Sequence, residues 1–295
     1  MGPDCSSGTT DDEWTANTES EALKLRSWTA LSEEEVPSYV RYDCVTHGYR
    51  PVGLSWRELV NSAFTVHNEL VNFWTHFVPA VLFPCALLVL YALSWSNLEP
   101  LDMLCFGIFF CTASYCLFSS AMYHLFICKS EEVCELLTRQ DARGILGLTC
   151  ASYPSMLVSI FRTMPVTRNL YIAMVLIFNV GTSLFVEFSS YKKLVRYRVQ
   201  VMLFTAKLGI VPAVHFIIVH DDGKLINAFI YGFLKMAAMY TFGIVIYGTQ
   251  LPERLFPGKV NIVGHSHQWW HVCVFLASAS WAQSLWSICS LSMST

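Results

Sequence analysis

Seven long apolar stretches decide what this chain can fold into. They run over roughly residues 76–95, 103–127, 144–161, 169–187, 199–219, 225–247 and 268–291. Each reaches the ~17–25 residues that a helix needs to cross a hydrocarbon core. Of the 295 residues, 54% are hydrophobic and only 14% are charged, with mean hydropathy +0.44. Soluble domains carry about 25% charged residues, so the chain lacks the polar surface to cover a globule. The expected fold is an all-α membrane protein, a seven-transmembrane helix bundle over residues 76–295. The third stretch is the shortest and carries Pro154, which predicts a kink or break there.

Before the first stretch the chain divides in two. Residues 1–36 hold nine Asp or Glu against Lys24 and Arg26, which predicts a disordered acidic tail. Its first residues, Met1-Gly2-Pro3-Asp4-Cys5-Ser6, match the bare myristoylation pattern, with an unmodified tail as the alternative. Residues 37–75 form a juxtamembrane segment. Within it, Trp56, Leu59, Val60 and Phe64 fall at helical spacing and predict a short amphipathic helix on the membrane surface. No cleavable signal peptide precedes the first apolar stretch, which should act as a retained signal-anchor. The eleven cysteines contain no CxxC pair, and most sit inside apolar stretches as small hydrophobes.

Lysine and arginine counts set the orientation. Fourteen lie in the N-terminal, second, fourth and sixth connecting regions; only Arg162, Arg168 and Lys224 lie on the other side. The positive-inside rule then places the N-terminus in the cytosol and the C-terminus outside or in a lumen. The net charge of −3 and the lack of a basic run argue against a nucleic-acid partner.

That topology gathers polar residues at the cytosolic face. His124 ends the second stretch, Asp141 precedes the third, and His267 and His271 open the seventh. The i, i+4 spacing of His267 and His271 puts both imidazoles on one helix face. Three imidazoles leave a fourth tetrahedral position open, the ligand count of a catalytic zinc site. Asp141 could hold or deprotonate a bound water, and Ser120, one turn before His124, could donate to an oxygen on the metal. A lone histidine near a helix end more often bonds backbone or headgroups. The set favours a metal, because intramembrane polar groups need mutual partners. Nearby, His67, Glu69, Asn72 and His76 fall mostly on one half of a helix. They read as a structural capping network tying the surface helix to the first span, with a second acid/base site as the alternative.

In these residues the chain resembles the progestin and adipoQ receptor family. The matching elements run from about residue 45 to 285. They are Gly48-Tyr49-Arg50, HNELVNFWTH at 67–76, Ser120-x3-His124, Asp141-x2-Gly144-Ile145 and Val211-Pro212-x2-His215-Phe216. Two more follow, Pro252-Glu253-Arg254-x2-Phe256-Pro257-Gly258 and Ser266-His267-Gln268-x2-His271. The wording is most similar to the adiponectin-receptor branch, including its Golgi-resident Raf-kinase-trapping relative. Gly264 to Gln268 is written as in the membrane progestin receptors. The resemblance implies a Zn2+ on His124, His267 and His271, a water between zinc and Asp141, and a lipid cavity between the helices. It also matches Arg198 to a basic residue that contacts a fatty-acid carboxylate; an ordinary cytosolic flanking charge is the alternative. One departure is Arg143, close behind Asp141, where the family has an aromatic after the aspartate. Lys235, near mid-membrane, should face the cavity as a ligand-binding residue or meet an acidic partner such as Glu187.

Three functions follow as expectations. One is a receptor responding to a lipid, fatty acid, steroid or protein hormone, in the plasma membrane or Golgi. The second is a zinc amide hydrolase acting on ceramide-like lipids. The third is a scaffold holding a cytosolic signalling protein at a membrane.

Overall fold

An apolar chain whose backbone cannot reach water must satisfy its amides internally, and helices do so within each segment. The computed structural model describes residues 31–94 and 97–294, with the Arg198 side chain excepted. Most of that chain is helical: α1 (Trp56–Ser62), α2 (Leu70–Ser94), α3 (Pro100–Phe126), α4 (Glu131–Ile160), α5 (Pro165–Phe188), α6 (Tyr191–Lys207), α7 (Ile210–Val219), α8 (Gly223–Thr249) and α9 (Ser266–Ser292). Among the described residues six stretches are long and apolar enough to span a membrane, Val199–Val219 crossing the α6–α7 junction. Helix α4 is long but falls outside that set, because Glu131, Glu132, Glu135, Arg139, Asp141 and Arg143 crowd its first half.

The helices depart from the expected segments in three places. Helix α2 starts at Leu70 rather than 76, so Asn72 and His76 lie inside it. Helix α4 begins at Glu131 and runs through Pro154 without the expected break. The fifth stretch is two helices. Pro212 offers no N–H to the preceding turn, and Gly209 sits where a Cβ would lie 2.7 Å from the Tyr153 ring. The Tyr153 hydroxyl donates to the carbonyls of Thr205 (2.7 Å) and Ala206 (3.0 Å) at the end of α6. The break is thereby stabilised from a neighbouring helix.

Helices α3, α4 and α9 form the centre. Their inner faces meet through Phe106, Phe109, Leu117, Leu157, Ile160, Leu285 and Ile288. At one end of the bundle Arg162 ties α4 to Asp102 (2.8 Å) and Glu99 (3.1 Å) of the α3 start and to Ser292 (3.2 Å) of α9. All ten cysteines among the described residues are free.

The expected tail and its lipidation pattern lie outside the described residues up to residue 30. Residues 31–36 do not continue it. β1 (Leu31–Ser32) pairs antiparallel with β2 (His47–Tyr49), and Val36 enters a satellite core with Val40, Val45, Tyr49, Leu59, Ile127 and Cys134. The surface helix α1 ends at Ser62, before the Phe64 that was expected in it. Ser55 caps α1, with Glu58 closing a capping box. Leu59 is buried, while Trp56, Val60 and Phe64 stay exposed.

Candidate metal centre

His124 sits in the last turn of α3, and His267 and His271 in the first turns of α9. One donor atom from each falls within 4.8 Å of the other two. The Nε2 atoms of His124 and His267 are 3.3 Å apart. His124 and His271 are each 1% exposed.

Neighbours fix which nitrogen faces inward. Nδ1 of His124 lies 2.8 Å from Oε2 of Glu69, which is itself buried. A carboxylate only accepts, so Nδ1 carries the proton and Nε2 presents its lone pair. The Asn72 amide donates to the same Glu69 oxygen at 2.7 Å, and the Tyr42 hydroxyl reaches it at 3.4 Å. Burial alone would raise the Glu69 carboxyl; the His124 imidazole and the Asn72 amide more than reverse this and hold it well below the usual carboxylate range. Nδ1 of His271 lies 3.1 Å from the Asn72 carbonyl and 3.2 Å from Oγ1 of Thr75. That carbonyl also accepts only, so His271 likewise turns Nε2 away from α2.

The donor set fits a zinc ion. Nε2 of His124 presents a lone pair towards Nε2 of His267, and a cation between the two would be held by both imidazoles. Tetrahedral Zn–N arms of about 2.0–2.1 Å place neighbouring nitrogens about 3.3–3.4 Å apart, which matches the 3.3 Å between His124 and His267.

The chain around the cluster is locked by buried polar contacts. Arg50 is 1% exposed. It donates to the carbonyls of His124 (2.6 Å) and Leu125 (2.8 Å) and to Ser62 (2.7 Å). It thus caps the α3 end that carries His124; in the sequence it stood in the Gly48-Tyr49-Arg50 element and among the cytosolic-side charges, with no role at the cluster assigned to it. Glu253 accepts from the Ser266 amide (2.7 Å) and hydroxyl, and so caps α9 one residue before His267. His265 stays out of the cluster, with Nε2 3.3 Å from the Asn68 carbonyl.

The remaining candidates divide. Ser120 is buried on α3, one turn before His124. Asp141 is partly buried on α4, within electrostatic reach of Cys116 on α3, and is not one of the three grouped donors. Gly144, one turn further, lets α4 close on α3. A Cβ there would lie 2.8 Å from Cα of Cys116 and 2.7 Å from Oγ of Ser119. Arg143 pairs with Glu187 rather than with Asp141. Lys235 therefore does not meet Glu187. It donates to Gln283 at 3.2 Å and lies 5.6 Å over the Tyr231 ring. Arg198 falls in α6, but its side chain lies outside the described residues.

Only part of the expected capping network caps. Nδ1 of His67 accepts from the Glu69 amide (3.0 Å) and its Nε2 donates to the Ser62 carbonyl (2.9 Å), which ties the end of α1 to α2. Burial, then the Arg50 charge, pushes the His67 pKa down to about 3. Glu69 turns instead to His124, the Asn72 side chain donates to Glu69, and the Asn72 backbone carbonyl faces His271. His76 stacks flat on His271, with centroids 3.6 Å apart and planes 6° apart.

A cavity of about 590 Å³ lies elsewhere, along the far halves of α2 and α9, lined by Phe83, Leu90, Phe110, Phe275, Gln283 and Trp286. No residue of the histidine cluster lines this cavity.

Spanning helices and a buried three-histidine cluster define a multi-pass membrane protein with a candidate metal centre. The family pattern described as haemolysin-III related matches residues 64–282, more than half of the chain. The chain therefore belongs to that family, the family of the progestin and adipoQ receptors. It is 30% identical over 257 residues to a "Progestin and adipoQ receptor-like protein 1" of Caenorhabditis elegans, covering 85% of this chain and 59% of that one. It is 31% identical over 260 residues to "Heptahelical transmembrane protein 1" of Arabidopsis thaliana, covering 85% and 78%. A Drosophila melanogaster "Adiponectin receptor protein" is 29% identical over 257 residues, covering 85% and 58%. The chain thus spans less than two thirds of its nematode and insect relatives.

Proposed function

We propose that this chain is a seven-span, zinc-containing receptor with a cytosolic N-terminus, whose histidine centre serves a lipid ligand. One observation carries the reading: three histidines converge with their donor atoms within 4.8 Å, and two of them have Nδ1 committed to α2-side acceptors. His124, His267 and His271 would hold the ion. When bound, zinc supplies a Lewis acid and a water acidic enough to ionise near neutrality. Glu69 holds the His124 imidazole in one tautomer, and the Asn72 carbonyl does so for His271.

Helix α4 supplies the seventh span under this reading. Its 30 residues extend about 45 Å at 1.5 Å each, and a relative is named heptahelical. The fourteen-to-three charge asymmetry supports the orientation, with the exposed Trp56, Val60 and Phe64 at the membrane surface. The apolar cavity beside Gln283 supports a lipid, fatty-acid or steroid ligand. Elemental analysis tests the centre. About one zinc per chain is expected, lost in a His267→Ala/His271→Ala variant. A folded, zinc-free native preparation removes the proposal.

A second reading, a zinc-dependent hydrolase of ceramide-like amides, is favoured by the close α3–α4 approach at Gly144. It draws Asp141 and Ser120, on facing helices, towards the His124 end. Asp141 would move the proton between the attacking water and the leaving amine. An Asp141→Asn variant should keep its metal and lose amide hydrolysis; undiminished turnover excludes this role.

A further inference from the structure

His76 is 4% exposed, and neither of its ring nitrogens has a hydrogen-bond partner. It lies inside α2, away from bulk water, with its ring flat on His271. A buried polar group left unpaired is destabilising, and such groups commonly mark a missing water, ion or ligand. His76 is not isolated in this respect. Oε1 of Glu69 and Oδ1 of Asn72 are also buried without partners. The 69, 72, 76 spacing places all three on one face of the α2 turns, the face that touches His124 and His271. Three neighbouring α2-side residues beside the cluster histidines thus keep buried polar atoms without a hydrogen-bond partner. A purely structural stacking ring would need no nitrogens, and phenylalanine would serve.

We propose that His76 contacts the exogenous molecule at the open side of the histidine cluster, hydrogen-bonding an oxygen or a bound anion there. That oxygen belongs to a water or to the polar head of a lipid ligand. His76 is not one of the grouped donors; it is a ligand-contacting residue beside them. The assignment rests on the metal reading above, and it separates that reading into ion-holding residues and one residue that reads what the ion holds.

The test uses full-length protein in detergent with cobalt(II) in place of zinc, titrated with azide and followed by the visible cobalt bands. His76→Phe keeps a flat ring against His271 and removes both nitrogens. It should bind cobalt as the native protein does and melt at the same temperature or higher. Its azide dissociation constant should rise at least tenfold, since a hydrogen bond to a charged group contributes about 1.5–3 kcal/mol. His76→Gln should recover part of the loss. His76→Leu carries the same expectation as the phenylalanine variant, should that one not fold. Native azide affinity in His76→Phe or His76→Leu overturns the proposal. Loss of cobalt in those variants also overturns it, by making His76 a metal ligand. Failure of the native protein itself to take up cobalt removes the metal reading, and this assignment with it.

Discussion

Replacing Glu69 by glutamine is the sharpest probe of the centre. Size and shape stay nearly constant, and the acceptor facing His124 becomes neutral. The 2.8 Å contact to Nδ1 and the 2.7 Å contact from Asn72 converge on one carboxylate oxygen. A charge-assisted bond contributes about 1.5–3 kcal/mol and a neutral one about 0.5–1.5, so the exchange weakens the hold on His124 by about 1–2 kcal/mol. Losing a group that orients a metal-holding imidazole lowers metal affinity about 10–100-fold, and 1–2 kcal/mol corresponds to about 5–30-fold. The two estimates overlap at about 10–30-fold. Chelator competition on the detergent-solubilised protein reads the zinc dissociation constant directly. Helix content by circular dichroism should not change. Tyr42→Phe is the internal control. Its hydroxyl approaches the same oxygen only to 3.4 Å, and a contact that long is weak, so zinc affinity should shift less than about twofold. Equal zinc affinity in native and Glu69→Gln protein would refute the reasoning, because the negative charge of Glu69 would then contribute nothing to the hold on His124.

Other perturbations separate site from scaffold. Gly144→Leu must push α4 off the Cys116 backbone, at about 1–3 kcal/mol. It should lower the thermal midpoint, and an unchanged midpoint would show that the helices have room to part. Arg162→Ala leaves Asp102, 2% exposed, as an uncompensated buried charge at about 3–5 kcal/mol. Thermal stability should fall sharply while zinc stoichiometry holds, since Arg162 sits at the opposite end of α4 from Asp141; loss of zinc in folded protein contradicts that separation. Arg50→Met strips the carbonyls of His124 and Leu125 of their donor, so both stability and zinc affinity should fall. A variant with a lower midpoint and native zinc affinity would make Arg50 a cap with no bearing on His124.

The sequence by itself determined the apolar spans and the three histidines. Hydropathy is a sum over neighbouring residues, and an i, i+4 pair shares a helix face wherever the helix packs. Its limits also have physical causes. The starts of α2 and α4 were misplaced because Glu69, Asn72 and His76 lie at or near the start of α2 and Glu131 to Arg143 fill the first half of α4. These side chains lower local hydropathy, yet several of them are sheltered within the bundle. The α6–α7 break was hidden because Tyr153, on another helix, satisfies the freed carbonyls. Of the two expectations for Lys235, the cavity or an acid such as Glu187, the acid falls away because Arg143 takes Glu187, and Lys235 donates to Gln283 of the cavity lining. What only the tertiary structure decided is which polar residue serves which histidine. Glu69 meets His124 across 55 positions and Asn72 meets His271 across 199. Arg50, read in the sequence as part of a family element, became a buried cap, and His76, read as a capping residue, stacks on His271 with no hydrogen-bond partner for its ring nitrogens. Spacing along a chain fixes faces; the pairing of distant faces is settled only when helices pack and each buried polar atom must find, or lack, its neighbour.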